Sequence, residues 1–213
     1  MWWRDITLAV LIVTATMVLT YAPQPRVSAA DAAVLVADTA RGSHGSGAYL
    51  GDGLVLTAAH VARNEQAELT VRFSGSDEVL PAAVVWIDAS LDLALLRIAA
   101  PEGAPYLSLA CEEGALERAT PATAAGYPLN FPIVVETAGI IGSVSAPSVG
   151  PWAFAFVFAA PGVVPGLSGA AIINSDTGRI VGIIVGVAGQ PGVRGSLAIA
   201  APVAPLCDKI VQA

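Results

Sequence analysis

The chain has 213 residues, 55% of them hydrophobic, 13% charged and 6% aromatic, with a formal net charge of −7. Length and apolar content together supply a sizeable core and exclude an intrinsically disordered chain. Ten basic residues against 17 acidic ones, with no Lys/Arg cluster, argue against a nucleic-acid partner.

Residues 6–22 form an almost uncharged run, preceded by Met-Trp-Trp-Arg-Asp and followed by a polar, proline-bearing stretch. Val27-Ser28-Ala29 then supplies the small residues of a signal-peptidase site. This order reads as a secretory signal peptide spanning 1–29; the alternative is an uncleaved membrane anchor through 6–22. Either way the remainder is expected outside the cytoplasm, secreted or periplasmic, and a membrane enters only if the segment is uncleaved.

Residues 30–213 carry short β-like runs at 33–37, 47–50, 54–57, 69–73, 79–87 and 93–98. Turn signals such as Gly51-Asp52-Gly53 separate them. A connecting segment at 101–121 interrupts the series, which resumes at 122–126, 133–145, 153–159, 170–174, 180–187 and 196–201. Asp176-Thr177-Gly178 between two apolar runs marks a hairpin. The spacing predicts an all-β fold of two six-stranded antiparallel barrels, at about 32–110 and 120–202. A C-terminal α-helix is predicted at about 203–212, where Val203, Leu206, Ile210 and Val211 share a face and Pro202 stands at the start.

Three short motifs carry chemistry. His60, one of two histidines, follows an apolar run and two alanines in Thr57-Ala58-Ala59-His60, where small residues let the chain turn and bring the imidazole to a cleft. Asp92 directly precedes Leu93-Ala94-Leu95-Leu96, and a carboxylate there must be solvated, capped or hydrogen-bonded. Asp88, four residues earlier, competes for that role. Ser168 lies in Pro165-Gly166-Leu167-Ser168-Gly169, whose glycines permit a backbone nest able to hold an oxyanion while presenting the hydroxyl. Singly, each motif is more simply a structural histidine, a turn aspartate and a turn serine. Together, in the order His–Asp–Ser, they supply a nucleophile, its base and the carboxylate that orients the base.

These motifs, 32 and 76 residues apart, resemble the three signatures of trypsin-like serine peptidases, and the spacing is closest to the compact bacterial HtrA branch. Gly126-Tyr127-Pro128 and the stretches 139–145 and 195–202 are similar to further HtrA strands, so the resemblance spans about 34–211. It implies a double barrel with the catalytic groups in the cleft between barrels. His60 would be general base and then acid, Asp92 would orient it, and Ser168 would attack the scissile carbonyl. Backbone N–H groups of Gly166 and Ser168 would form the oxyanion hole. Two departures stand out: Ala170 replaces a glycine and is expected to place a Cβ near the cleft floor, and Leu167 replaces a polar residue, altering the surface of the oxyanion loop. The peptide-binding PDZ modules of HtrA enzymes, and their trimers, are not expected here; a monomer is.

The resemblance further implies an exported endopeptidase acting on protein or peptide substrates. Gly162, Val163, Val185 and Gly186 are candidates for the substrate pocket. The neighbouring stretches hold no acid, which favours cleavage after small or medium aliphatic residues. Alternatives are a catalytically silent scaffold and a self-processing protease. Cys111 and Cys207 fall in regions that pack together in such folds and form a possible disulfide, with two buried thiols as the alternative. His44 reads as a loop residue, Trp86 and Trp152 as packing residues. No metal or other cofactor is expected.

Overall fold

Residues 27–63, 66–111, 119–129, 133–143, 155–188 and 197–210 are described by the structure, a computed structural model. The apolar run 6–22 and Trp152 lie outside these residues, and among the described ones no helix is long and apolar enough to cross a membrane.

The first half of the chain closes into a barrel of six strands: β1 (Ala33–Asp38), β2 (Ser43–Gly51), β3 (Leu54–Ala58), β4 (Leu69–Phe73), β5 (Leu80–Asp88) and β6 (Leu93–Arg97), in the order β1-β2-β3-β6-β5-β4. Antiparallel pairing of β1 with β4 completes the ring and leaves no open edge. The second half repeats the plan with β7 (Pro121–Gly126), β8 (Val135–Ser143), β9 (Phe156–Ala159), β10 (Ala171–Asn174), β11 (Ile180–Ala188) and β12 (Leu197–Pro202), in the order β10-β11-β12-β9-β8-β7. The predicted double barrel is therefore the observed fold, ending in a short helix.

Two apolar clusters hold the barrels. Ala122, Ala124, Phe156, Phe158, Ile172, Ile184, Ala198 and Ala200 belong to the cluster inside barrel 2. Intervening residues of the same strands, among them Ala171, Ile173, Ile183, Val185, Ile199 and Ala201, join the cluster that fills barrel 1. Strands β10 to β12 are thus apolar on both sides, one face lining their own barrel and the other packing on its neighbour. Barrel 1's β6 is likewise enclosed, with Leu93, Leu95 and Leu96 at 0% exposure; each such side chain contributes about 1.5–3 kcal/mol.

Local differences from the sequence expectations have physical causes. His44 is not in a loop: β2 begins at Ser43, and His44 pairs with Ala37. Its Gly/Ser-rich neighbours look like a turn in composition, but the apolar β1 carries them into the sheet. Pro202 closes β12 instead of opening a helix; Pro205 takes that role in a 3-10 turn at Ala204–Leu206 that runs into α2 (Cys207–Ile210), numbered after the single helical turn α1 (Ala59–Ala62). The hairpin at Asp176 forms as expected, with Asn174 Oδ1 accepting from the N–H groups of Asp176 and Thr177. Trp86 packs half-buried on the barrel 1 cluster.

The segment between the barrels is stitched to both. Leu107 N donates to Tyr49 O of β2 at 3.0 Å, and Ala110 N to Ile180 O of β11 at 2.8 Å. Cys111 follows directly and is bonded to Cys207 of α2, with 5.7 Å between Cα atoms. The bridge closes a loop of 96 residues, so most of its effect falls on the unfolded chain. Replacing both cysteines by serine is expected to lower stability by about 2–4 kcal/mol. Thermal unfolding of the variant and of the reduced wild type checks this; unchanged transitions in both would contradict it.

Candidate active site

His60 stands on the single turn of α1, immediately after β3 delivers the chain to the edge of barrel 1. Asp92 holds that turn in three ways. Its carbonyl accepts from Ala59 N at 3.0 Å, its Oδ1 accepts from His60 N at 2.9 Å, and its Oδ2 lies 2.7 Å from His60 Nδ1. Asp92 adopts φ of +54°, a left-handed conformation that aspartate tolerates better than most residues. Its side chain is 11% exposed against 46% for His60, so the pair runs from a buried carboxylate to an open imidazole. A carboxylate acceptor at this distance requires the proton on Nδ1, which leaves Nε2 with its lone pair available.

Asp88, the competing carboxylate, does different work. Its Oδ1 accepts from Ser90 Oγ at 2.6 Å, from Ser90 N at 2.8 Å and from Leu91 N at 3.1 Å. The Ser90 hydroxyl, with the backbone amides and Lys209, holds its carboxyl below the usual range against the opposing effect of burial. It closes the loop that presents Asp92.

Ser168 comes from the other barrel, on the loop before β10. Gly166 and Gly169 on either side adopt φ of +96° and +89°. A side chain is barred at both on steric grounds as well. A Cβ on Gly166 would lie 2.5 Å from Tyr127 O, and one on Gly169 would collide with Ser46 O and Thr57 Oγ1. The four successive carbonyls here are all engaged: Pro165 O by Leu129 N at 2.9 Å, Gly166 O by Ser46 Oγ at 2.8 Å, Leu167 O by Ala170 N at 2.9 Å and Ser168 O by Ser46 N at 2.7 Å. Among the described residues, the N–H groups of Gly166 and Ser168 have no acceptor.

The histidine and serine loops meet at one glycine of β2. A Cβ on Gly45 would stand 2.6 Å from Val61 Cγ2, beside His60, and 2.9 Å from Ser168 O. His60 and Ser168 share no hydrogen bond in this state; such contacts are often long before substrate binds.

Both departures at the serine loop turn inward. Leu167 is 2% exposed and Ala170 0%, packed in the barrel 2 cluster. Neither expectation for them holds: Ala170's Cβ faces Gly126 and not the cleft floor, and Leu167 anchors the loop from below without reshaping its surface. Of the pocket candidates, Val163 is fully buried in that cluster and Gly162 sits in an exposed turn with φ of +82°. Gly186 lies where the β11–β12 register shifts. Val185 reaches across from β11 to a cavity of about 470 Å³ shared with Ala59, His60, Arg63, Ile87, Ala89 and Asp92. Ser46, unremarked in the sequence, is the polar residue that joins the two loops; a serine between two glycines in a strand with apolar partners was its only signal. No group of three or more metal-ligating side chains occurs among the described residues.

Two solved structures share this fold. The inactive form of a serine-to-alanine mutant of Rv3671c from M. tuberculosis H37Rv superposes with a TM-score of 0.65 at 21% identity, over 89% of this chain and 90% of that one. A serine endoprotease from Yersinia pestis gives 0.65 at 25% identity over 86% of this chain, which spans 62% of the Yersinia protein. No curated protein sequence matches the chain. The profile of the trypsin-like peptidase domain matches residues 45–183, from the glycine where the two loops meet into β11. By that match the chain belongs to the family of trypsin-like serine endopeptidases.

Proposed function

We propose that this chain is an exported serine endopeptidase that hydrolyses peptide bonds through Ser168, His60 and Asp92. The observation that carries this reading is the buried Asp92 carboxylate 2.7 Å from Nδ1 of a half-exposed His60, across one glycine from the serine loop. In the reaction, His60 Nε2 takes the Ser168 hydroxyl proton as Oγ attacks the scissile carbonyl. Asp92 steadies the imidazolium that results. The Gly166 and Ser168 amides, without acceptors among the described residues, bind the oxyanion. His60 then gives its proton to the leaving amine, and a water activated in the same way releases the acyl group from Ser168.

Binding on the His60 side of the cleft falls to Ile87, Ala89 and Val185, which favours apolar substrate residues. Cleavage after small or medium aliphatic residues fits the same apolar character, with Val185 and Gly186 as its nearest candidates. Export rests on the run 6–22 and on the Cys111–Cys207 bridge, which an oxidising compartment would maintain.

A fluorophosphonate probe is expected to label the wild type and not Ser168→Ala. Peptide turnover should fall by roughly 10⁴-fold or more in Ser168→Ala and in His60→Ala, with thermal unfolding of both near that of the wild type. A folded but unlabelled wild type would mean a silent scaffold; labelling without turnover of added peptides would mean self-processing.

Acidification is expected to slow turnover, because an imidazole that already holds a proton on Nε2 cannot accept one from Ser168. A kcat/KM unchanged from neutrality down to about pH 4 would remove His60 from the role of base.

A further inference from the structure

Ser46 is the fully buried centre of β2, and every polar atom it carries is in use. Its N–H donates to Ser168 O at 2.7 Å and its carbonyl accepts from Thr57 Oγ1 at 2.6 Å. Its Oγ donates to Gly166 O at 2.8 Å and accepts from Tyr127 N at 2.9 Å. A single residue of barrel 1 therefore grips two carbonyls of the serine loop in barrel 2. It also grips the start of the segment whose Leu129 N holds Pro165 O.

In a trans peptide the carbonyl of one residue and the N–H of the next point in opposite directions. Holding Pro165 O therefore sets the direction of Gly166 N–H, and holding Leu167 O sets that of Ser168 N–H. The peptide between these two units carries Gly166 O, which is bonded to Ser46 Oγ. With that middle peptide fixed, neither neighbour can rotate freely, although Gly166 would otherwise permit it. The hydroxyl is closely surrounded. A Cβ on Gly126 would already stand 2.5 Å from Ser46 Oγ and 3.0 Å from both Ala170 Cβ and Leu167 Cδ2, so the site is closed by packing.

We infer that Ser46 is a positioning residue. Its hydroxyl, bridging Gly166 O and Tyr127 N–H, braces the serine loop from the opposite barrel so that the amides of Gly166 and Ser168 converge on one point. This rests on the peptidase reading above and assigns Ser46 no contact with substrate. Loss of the hydroxyl costs oxyanion binding and leaves the binding of uncleaved peptide nearly untouched.

The test compares full-length wild type, Ser46→Ala and Ser46→Cys; the thiol keeps the side chain's bulk but donates poorly. A peptidyl boronic acid with an aliphatic terminal residue forms a tetrahedral adduct on the serine and places an oxygen in the oxyanion site. The expected result in both variants is a boronate affinity lower by about tenfold or more, a kcat lower in parallel and a KM within about twofold. Boronate affinity and kcat equal to wild type in either variant would overturn the inference, as would a KM rise with kcat unchanged. Where Ser46→Ala does not fold, Ser46→Cys decides alone.

A second reading is independent of turnover. Amide exchange at Tyr127 is expected to quicken about tenfold or more in the variants, while that of Tyr49 N–H, bonded to Ala32 O, keeps its wild-type rate. Equal exchange at Tyr127 would show that the hydroxyl braces nothing. A wild type that forms no boronate adduct sinks the peptidase reading itself, and exchange at Tyr127 then decides the brace.

Discussion

The hydrogen bonds that cross from Ser46 to the loop of Ser168 are the constraint on which the rest of this structure depends. Each barrel closes on itself, yet the groups proposed to react are divided between them. The imidazole and carboxylate belong to barrel 1 and the hydroxyl to barrel 2. Apolar packing brings the two together but is non-directional, and sliding one barrel over the other by a residue would cost it little. The bonds from Ser46 N and Oγ do have direction, and they are buried. A slip would strand those donors and acceptors without water, at roughly 1–3 kcal/mol for each group. This penalty favours one register between the barrels.

Tyrosines apart, buried polar or charged side chains are few among the described residues, and three of the four lie at the His60 and Ser168 loops. Asp38, Ser46, Thr57 and Asp92 are the four. Asp92 holds His60, Ser46 holds the serine loop, and Thr57 holds Ser46 by donating to its carbonyl. Asp38 pairs at 3.8 Å with Arg63, which follows α1 and lines the same cavity as His60. Polar burial is costly wherever it occurs, so its concentration at Ser46, Thr57 and Asp92 marks a part of the structure that is placed accurately.

How much of this was legible in the sequence varied with the kind of force involved. Strands were readable because closed barrels enforce short apolar runs of fixed length. The run 69–73 became β4 with the same ends, and most others shifted by one or two residues. His60, Asp92 and Ser168 were readable because each breaks the local pattern: an imidazole after alanines, a carboxylate before leucines, a serine among glycines. Two things were hidden. Leu167 and Ala170 were judged by what a family usually places there, and only coordinates reveal that both side chains face the barrel 2 core. Ser46 was hidden because most of its bonds are to backbone groups over a hundred or so residues of chain, which no local window contains. Sequence periodicity reports which face a residue presents, not which distant carbonyl it meets.

The inward turn of Leu167 and the brace at Ser46 belong to one arrangement. A short loop with two left-handed glycines has many accessible conformations and little apolar surface to select among them. A polar residue before the serine would leave that loop attached only at its carbonyls. Here Leu167 anchors it into the barrel 2 core while Ser46 and Leu129 hold carbonyls on either side of the leucine. Packing fixes the depth of the loop and hydrogen bonds fix its rotation. Neither alone does both, because a side chain in a pocket can still swivel about its own axis and a hydrogen bond tolerates a broad range of angles. Among the described residues, the amides of Gly166 and Ser168 are what remains without a partner once every neighbouring carbonyl has been taken, and the proposed oxyanion role rests on them.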